Sequence, residues 1–447
     1  MLSKRALQEK DHRHLWHPFT QMQEWFAEEL LIIERGEGNY LIDIDGNRYL
    51  DGVSSLWCNV HGHGRREIDE AIIAQLQRMA HSTLLGLSHP TAIVLAERLV
   101  QIAPAGLTKV FYSDNGATAV EVALKMAFQY WQQKEDERYR GKTTFLYFKG
   151  GYHGDTLGAV SVGGIDLFHA LYKPLLFDAH ALPAPHAVGE YESALKEVQR
   201  TLETRHHEVA GLIMEPLIQG ASGMLVYPPG FTRDVRELCR VNEVLFIADE
   251  VATGFGRTGK MFACDHEGIV PDLLAVAKGL TGGYLPLAAT LATPEIFDAF
   301  LGRVEDKRTF YHGHTFTGNP LGCAAALASL EVFEKDRVLE ELQPKMNALE
   351  GGLKRLRALR HVGEIRQLGV MVGIELFEDV AARRPYAAGK RMGHRVIKEA
   401  RRHGVIIRPL GDVIILMPPL SITEQEIGML LDAVGAAIKT VTEGDAR

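Results

Sequence analysis

Leu245-Phe-Ile-Ala-Asp-Glu250 and, further along, Asp272-Leu-Leu-Ala-Val-Ala-Lys-Gly279 decide how the chain is read. Each is an apolar run too short for a helix and typical of a buried parallel strand, and each ends on a charge. Side chains at the carboxyl ends of such strands project into the crevice where α/β folds carry out their chemistry. An acid (Asp249) and a lysine (Lys278) so placed match the needs of pyridoxal phosphate (PLP). The amine condenses with the aldehyde, and the carboxylate keeps the ring nitrogen protonated. For the pair alone, two unrelated charges at strand ends remain an equal reading.

Working outward, short apolar runs recur at Lys109–Tyr112, Thr144–Tyr147 and Val209–Met214, with helical patterns between several of them. This alternation predicts an α/β fold with a mostly parallel sheet covered by helices. Tyr40–Leu50 reads as a strand pair turning at Asp45-Gly-Asn47, and Arg65–Met79 as a helix. After Asn319-Pro320 comes a helix of small residues, Gly322–Ala328; Val370–Glu375 and Val405–Ile407 read as strands of a smaller α+β lobe. The expected division is residues 1–62 as an N-terminal segment joining the small domain, 63–334 as the large cofactor-binding domain, and 335–447 as the C-terminal small domain.

The composition is that of a globular enzyme: 447 residues, 46% apolar and 24% charged. A net charge of −8 argues against a nucleic-acid surface. The basic run Arg395, Lys398, Arg401 and Arg402 reads as a solvated helix face. Cys58, Cys239, Cys264 and Cys323 are scattered without CxxC spacing, so neither a disulfide framework nor a zinc site is expected. Met1–Lys10 lacks the apolar core of a signal peptide, and no run of about 18 apolar residues exists to span a membrane. The expected setting is the cytoplasm, with small-molecule substrates as partners.

Ser113-Asp-Asn-Gly-Ala-Thr118, between a strand and a long helix, is a candidate phosphate cradle. Glycine allows close backbone approach, and the helix N-terminus offers free N–H groups. An ordinary capped helix entry gives the same pattern. Tyr152, in Gly150-Gly-Tyr-His-Gly-Asp155, supplies a flat ring suited to stacking on a heteroaromatic cofactor, or equally to packing a loop.

Taken together, these segments resemble the class III aminotransferases, a family of fold-type I PLP enzymes. The resemblance rests on Asn115-Gly-Ala117, Tyr152-His-Gly154, Glu215-Pro216, Ala248–Gly259, Ala277-Lys-Gly279 and Gly313-His-Thr-Phe-Thr-Gly-Asn-Pro320, in that order. It implies that Lys278 is the Schiff-base lysine, that Asp249 pairs with the ring nitrogen and that Tyr152 stacks on the ring. It further implies that Gly116 and Ala117 hold the phosphate and that Gln219 contacts the ring hydroxyl. Thr315 would reach the phosphate of the other subunit's cofactor, so the resemblance implies a homodimer with shared active sites, and His314 is a further cofactor-binding residue. Glu250, Thr253 and Arg257 are assigned to holding the site and its loop.

The ends of the chain are similar to the branch of that family that aminates 8-amino-7-oxononanoate in biotin synthesis. The segments concerned are Leu15-Trp-His-Pro-Phe-Thr-Gln-Met22, Ser54-Ser-Leu-Trp57, Arg408-Pro-Leu-Gly-Asp412 and Met417-Pro-Pro419. By this resemblance Arg408 grips the acceptor carboxylate, a role that suits its planar fork. Phe19, Trp57, Asp155 and Gly313 would line the substrate site.

Most members of that branch take their amino group from S-adenosylmethionine and resemble Ser-Ser-Trp-Trp, with Tyr in the opening motif. Leu56 and Phe19 replace one indole and one hydroxyl, and a sulfonium cation gains from aromatic faces. A subgroup with a similar aliphatic residue uses lysine, whose ammonium Asp155 can hold. S-adenosylmethionine comes first and lysine second. An ω-amino acid:pyruvate aminotransferase or an aminomutase is disfavoured by Trp16-His-Pro18 and Arg408-Pro409. A non-enzymatic cofactor-binding protein is disfavoured by the intact Lys278.

Overall fold

Apolar runs that end on a charge become buried strands in a computed structural model describing residues 3–444. The strands are Ile33–Glu37 (β1), Tyr40–Asp43 (β2), Arg48–Asp51 (β3), Lys109–Ser113 (β4), Thr144–Phe148 (β5) and Ala179–Leu182 (β6). Val209–Met214 (β7), Ile218–Gln219 (β8), Leu225–Val226 (β9), Leu245–Asp249 (β10), Leu273–Val276 (β11) and Ala288–Ala292 (β12) follow. Val362–Leu368 (β13), Met371–Leu376 (β14), Val405–Ile406 (β15), Arg408–Leu410 (β16) and Val413–Leu416 (β17) complete them.

Seven strands form the central sheet in the order β4-β12-β11-β10-β7-β5-β6. Pairings on both sides of β10 and of β5 are parallel. β12 alone runs against both its neighbours, so the sheet is mostly parallel, as expected, with one reversed strand. β7, β10 and β11 are buried along their whole length, as helix-covered strands must be. β6 and β12 were not anticipated. Ala288-Ala-Thr-Leu-Ala292 is made of small residues with no alternation to mark it.

The helix Gly116–Gln132 starts at Asn115, where a reciprocal capping box with Thr118 fixes its first turn. Its Ala119, Val120, Ala123 and Ala127 pack against the sheet. Pro320–Lys335, the small-residue helix, begins with Asn319 as cap and proline in its first turn, and it is buried on nearly every side.

β1, β2 and β3 form a second sheet, and its fourth member, β15, comes from the far end of the chain and pairs in parallel with β3. Asp43 accepts the N–H groups of Asp45 and Asn47 and so shapes the expected turn. A third sheet, β13-β14-β17-β16, presents Arg408 on its edge strand. On the basic face of the helix Met392–Arg402, Lys398 and Arg402 are exposed, as a solvated face predicts, while Arg395 and Arg401 are half-buried. Glu28 meets His394 and Lys398 at 2.9 and 2.7 Å, and Glu24 pairs with Arg391 just ahead of the helix, so acidic residues near the N-terminus tie down its first turns. No helix among the described residues is long and apolar enough to cross a membrane.

Candidate active site

The carboxyl ends of β10 and β11 open into a cleft of about 730 Å³. Asp249, the last residue of β10, is buried with its Oδ2 2.7 Å from His153 Nδ1. Its Oδ1 accepts the Val251 N–H at 3.0 Å. Because the carboxylate only accepts, the proton of the His153 ring is assigned to Nδ1, and His153 Nε2 is left buried without a partner. This pairing fixes the orientation of a buried charge that is otherwise costly to desolvate.

Lys278 lies two residues beyond β11 with a left-handed backbone (φ 37°). Its Nζ sits 5.0 Å from the centroid of the Trp57 ring. Burial pushes the amine below its ordinary pKa, against the opposing pull of Asp249 and Glu215. A neutral amine is the form able to attack a carbonyl or take a proton.

Glu215, one residue beyond β7, lines the same cleft. It accepts the Tyr152 N–H at 3.2 Å and the Gly220 N–H at 2.9 Å, and burial pushes its pKa up to about 7. The Tyr152 hydroxyl donates to Asp155 Oδ2 at 2.8 Å; burial, reinforced by that bond, raises the phenol pKa. Both side chains line the cleft. On the opposite side, Gly116 and Ala117 begin the Gly116–Gln132 helix, where first-turn N–H groups have no intrahelical partner. A Cβ at Gly116 would lie 2.6 Å from Val251 Cγ1, so only glycine lets the chain pass there.

Other candidates stand apart from this constellation. Gln219 is fully buried but does not line the cleft; its amide donates to the Lys149 carbonyl at 2.9 Å and braces the glycine-rich loop from behind. Phe19 is 60% exposed and does not line the cleft; Phe168 packs edge-on against both Phe19 and the cleft residue Tyr152. Gly313, His314 and Thr315 lie on a surface segment outside their own chain's cleft, with Thr315 exposed. Arg408 is half-buried, its pKa lowered by burial, and the Tyr152 phenol is the ionisable group acting on it; it forms no ion pair among the described residues.

Glu250 points away from the cleft and accepts from Thr253, Ala263 and Cys264, which ties down the loop after β10. Glu215, His153 and Val251 carry no assigned role in the sequence reading. For Glu215 the signal existed, since it follows the apolar run Val209–Met214 just as Asp249 ends its own.

The fold and cleft define a class: the chain belongs to the class III aminotransferases, whose sequence pattern spans residues 22–438. It is 56% identical over 449 residues to the adenosylmethionine-8-amino-7-oxononanoate aminotransferase of Geobacter sulfurreducens, covering 98% of each chain. The crystal structure of the enzyme of that name from Methanocaldococcus jannaschii superposes with a TM-score of 0.95 at 52% identity, over 98% of this chain and 100% of that one. An amine transaminase from an uncultivated Pseudomonas species, crystallised in its PLP-bound form, gives a TM-score of 0.90 at 37% identity, over 96% and 99% of the two chains.

Proposed function

We propose that the protein transfers an amino group to 8-amino-7-oxononanoate, giving 7,8-diaminononanoate for biotin synthesis, with S-adenosylmethionine as donor. The full-length likeness to enzymes of that name supports the reading. The observation that carries it is Arg408, a half-buried guanidinium on the edge strand of the third sheet with no acidic partner among the described residues. A buried cation without a counter-ion is costly, and a substrate carboxylate relieves that cost.

The cleft fits pyridoxal phosphate. Gly116 and Ala117 would hold the phosphate at the helix N-terminus, Asp249 would face the ring nitrogen, Tyr152 would lie along the ring and Lys278 would join the aldehyde. When bound, the cofactor supplies an aldehyde and an electron-accepting ring. Asp249, oriented by His153 and the Val251 N–H, holds a positive charge at the ring nitrogen. Lys278 Nζ, driven toward neutrality by burial, takes the proton from the donor's α-carbon and returns one to the acceptor carbon. Arg408 orients the acceptor by its carboxylate, and Asp155 and Trp57 bound the donor side.

Gly313, His314 and Thr315 lie outside their own chain's cleft, and we assign His314 and Thr315 to the cofactor of a second copy in a homodimer. Tyr311 (78%) and Phe316 (59%) on the same segment expose apolar surface that a second copy would cover. We keep the division at residues 62 and 334, supported by β15 closing the N-terminal sheet; residues 1–2 and 445–447 of those segments lie outside the described residues. We place the enzyme in the cytoplasm, in keeping with its four free thiols. The test is the half-reaction: cofactor-loaded protein mixed with S-adenosylmethionine alone loses its visible absorbance, and 8-amino-7-oxononanoate alone restores it. No spectral change with any amino donor sinks the proposal.

A further inference from the structure

The loop after β3 has a backbone that its residues disfavour. Ser54, Ser55 and Trp57 have φ of 52°, 60° and 66°, and none is glycine. Ser55, with ψ −73°, occupies the positive-φ γ-turn, a rare and strained conformation. Such geometry persists only where its surroundings over-determine it.

Three side chains do so. Asp51, fully buried, accepts the Ser55 N–H through both oxygens (2.9 and 2.8 Å), the Val53 N–H at 3.3 Å and the Ser55 hydroxyl at 3.3 Å. His63 Nε2 lies 2.9 Å from Asp51 Oδ2, while its Nδ1 faces the Asn59 amide nitrogen at 3.0 Å. The amide donates, so the ring proton is assigned to Nε2, where it serves Asp51. Arg257, also buried, donates to the carbonyls of Trp57 (3.2 Å), Asn59 (3.0 Å) and Pro418 (2.8 Å). Between these clamps Leu56, Trp57 and Cys58 form one wall of the cleft, and the Trp57 ring is the one facing Lys278.

We propose that Asp51, His63 and Arg257 are positioning residues that force Ser54–Trp57 into this strained turn, and that the choice of amino donor depends on the turn they impose. The inference rests on the aminotransferase reading. None of the three lines the cleft, so each acts through where it puts Trp57 and Leu56. A relaxed turn moves the indole relative to Lys278, and reactions in such sites are sensitive to shifts of about 1 Å. The acceptor is anchored at Arg408, whose strand is held by its own pairing with β17, so it should feel that movement less.

Cys58 reports on the turn without catalysis: it is the one cysteine of four that is not buried, and its N–H bonds the Ser54 carbonyl at 3.2 Å. In cofactor-free protein, Asp51→Asn should speed thiol labelling of Cys58 about tenfold; in loaded enzyme it should raise the donor KM about tenfold and the acceptor KM less than about twofold. Adding Ser55→Gly to that variant should recover most of both losses, since glycine takes up positive φ unaided. His63→Ala, at a partly exposed ring, should give a weaker form of the same pattern and serves if Asp51→Asn does not fold. Unchanged labelling in a folded variant, equal losses for donor and acceptor, or no recovery with glycine overturns the proposal and leaves the network as a tie between the chain ends. Labelling needs no turnover, so a wild-type protein without transaminase activity would defeat the functional reading while leaving the restraint on the turn testable.

Discussion

His153 Nδ1 and Asp249 Oδ2 lie 2.7 Å apart, both buried, so the acid at the end of β10 is held by a ring and not by solvent. Asp249→Asn keeps this shape but removes the charge, so the protein should still bind pyridoxal phosphate. Turnover should fall by at least about 100-fold, the scale of losing one preorganised electrostatic contact. Steady-state kinetics on loaded protein checks this; near-normal turnover excludes Asp249 from its role.

Lys278→Ala should fold at least as well as the parent protein, because it removes a costly buried amine. The loaded variant should lose the visible absorbance of the covalently attached cofactor, along with turnover. Thermal unfolding and an absorbance spectrum are the measurements. Substantial transamination without added amine would count against the assignment.

Arg408→Ala should raise the KM for 8-amino-7-oxononanoate much more than that for a small ketone lacking a carboxylate. Losing a charge-assisted contact of roughly 1.5–3 kcal/mol corresponds to about 10- to 100-fold. Equal effects on the two acceptors would make Arg408 a packing residue.

Leu56 lines the cleft and is 47% exposed, at the position where a second indole is absent. Leu56→Trp should improve S-adenosylmethionine relative to lysine in the half-reaction, by the ~0.5–2 kcal/mol an aromatic face gives a cation. If the parent protein reacts with lysine and not with S-adenosylmethionine, the order of donors proposed above is reversed.

Burial holds the His61 ring neutral, its pKa lowered from 6.5 to about 3. Below pH 6.5 the unfolded chain binds a proton that the folded chain refuses, so this contribution is complete above 6.5 and is lost as pH falls toward 3. Glu215 and Glu250, raised to about 7, act in the opposite sense: their contribution is complete below 4.5 and lost as pH rises through 7. Comparing parent with His61→Gln cancels the carboxyl terms. Between pH 6.5 and 4 the parent should lose stability relative to the variant by up to about 1.4 kcal/mol per pH unit. Parallel denaturation curves across that range would show that His61 protonates in the fold.

The central strands were legible because each is an apolar run closed by a charge, and Asp249 and Lys278 reach one cleft for that reason. β12 was not, since small residues carry no period and nothing local marks a reversed strand. The placing of Arg408 on the edge strand of the third sheet, far along the chain from the Tyr152 loop that acts on it, leaves no trace in spacing. Gln219 shows a converse limit: its place near the motifs does not say which way its amide faces, and in the fold that amide donates to the Lys149 carbonyl. The ion pairs of Glu28 with His394 and Lys398 could not be read either, because the partners lie almost a chain length apart. Positive φ at Ser54, Ser55 and Trp57 was hidden because no glycine announces it.

The parallel pairing of β15 with β3, Val405 against Leu50, has a consequence for biosynthesis. β3 leaves the ribosome among the first strands and β15 among the last, so the N-terminal sheet waits through nearly all of translation for its closing member. Until then the outer edge of β3 is an open template for any neighbouring polypeptide. Nascent chains released before Val405 should therefore accumulate as aggregates, and newly made protein should depend on holdase chaperones throughout that wait.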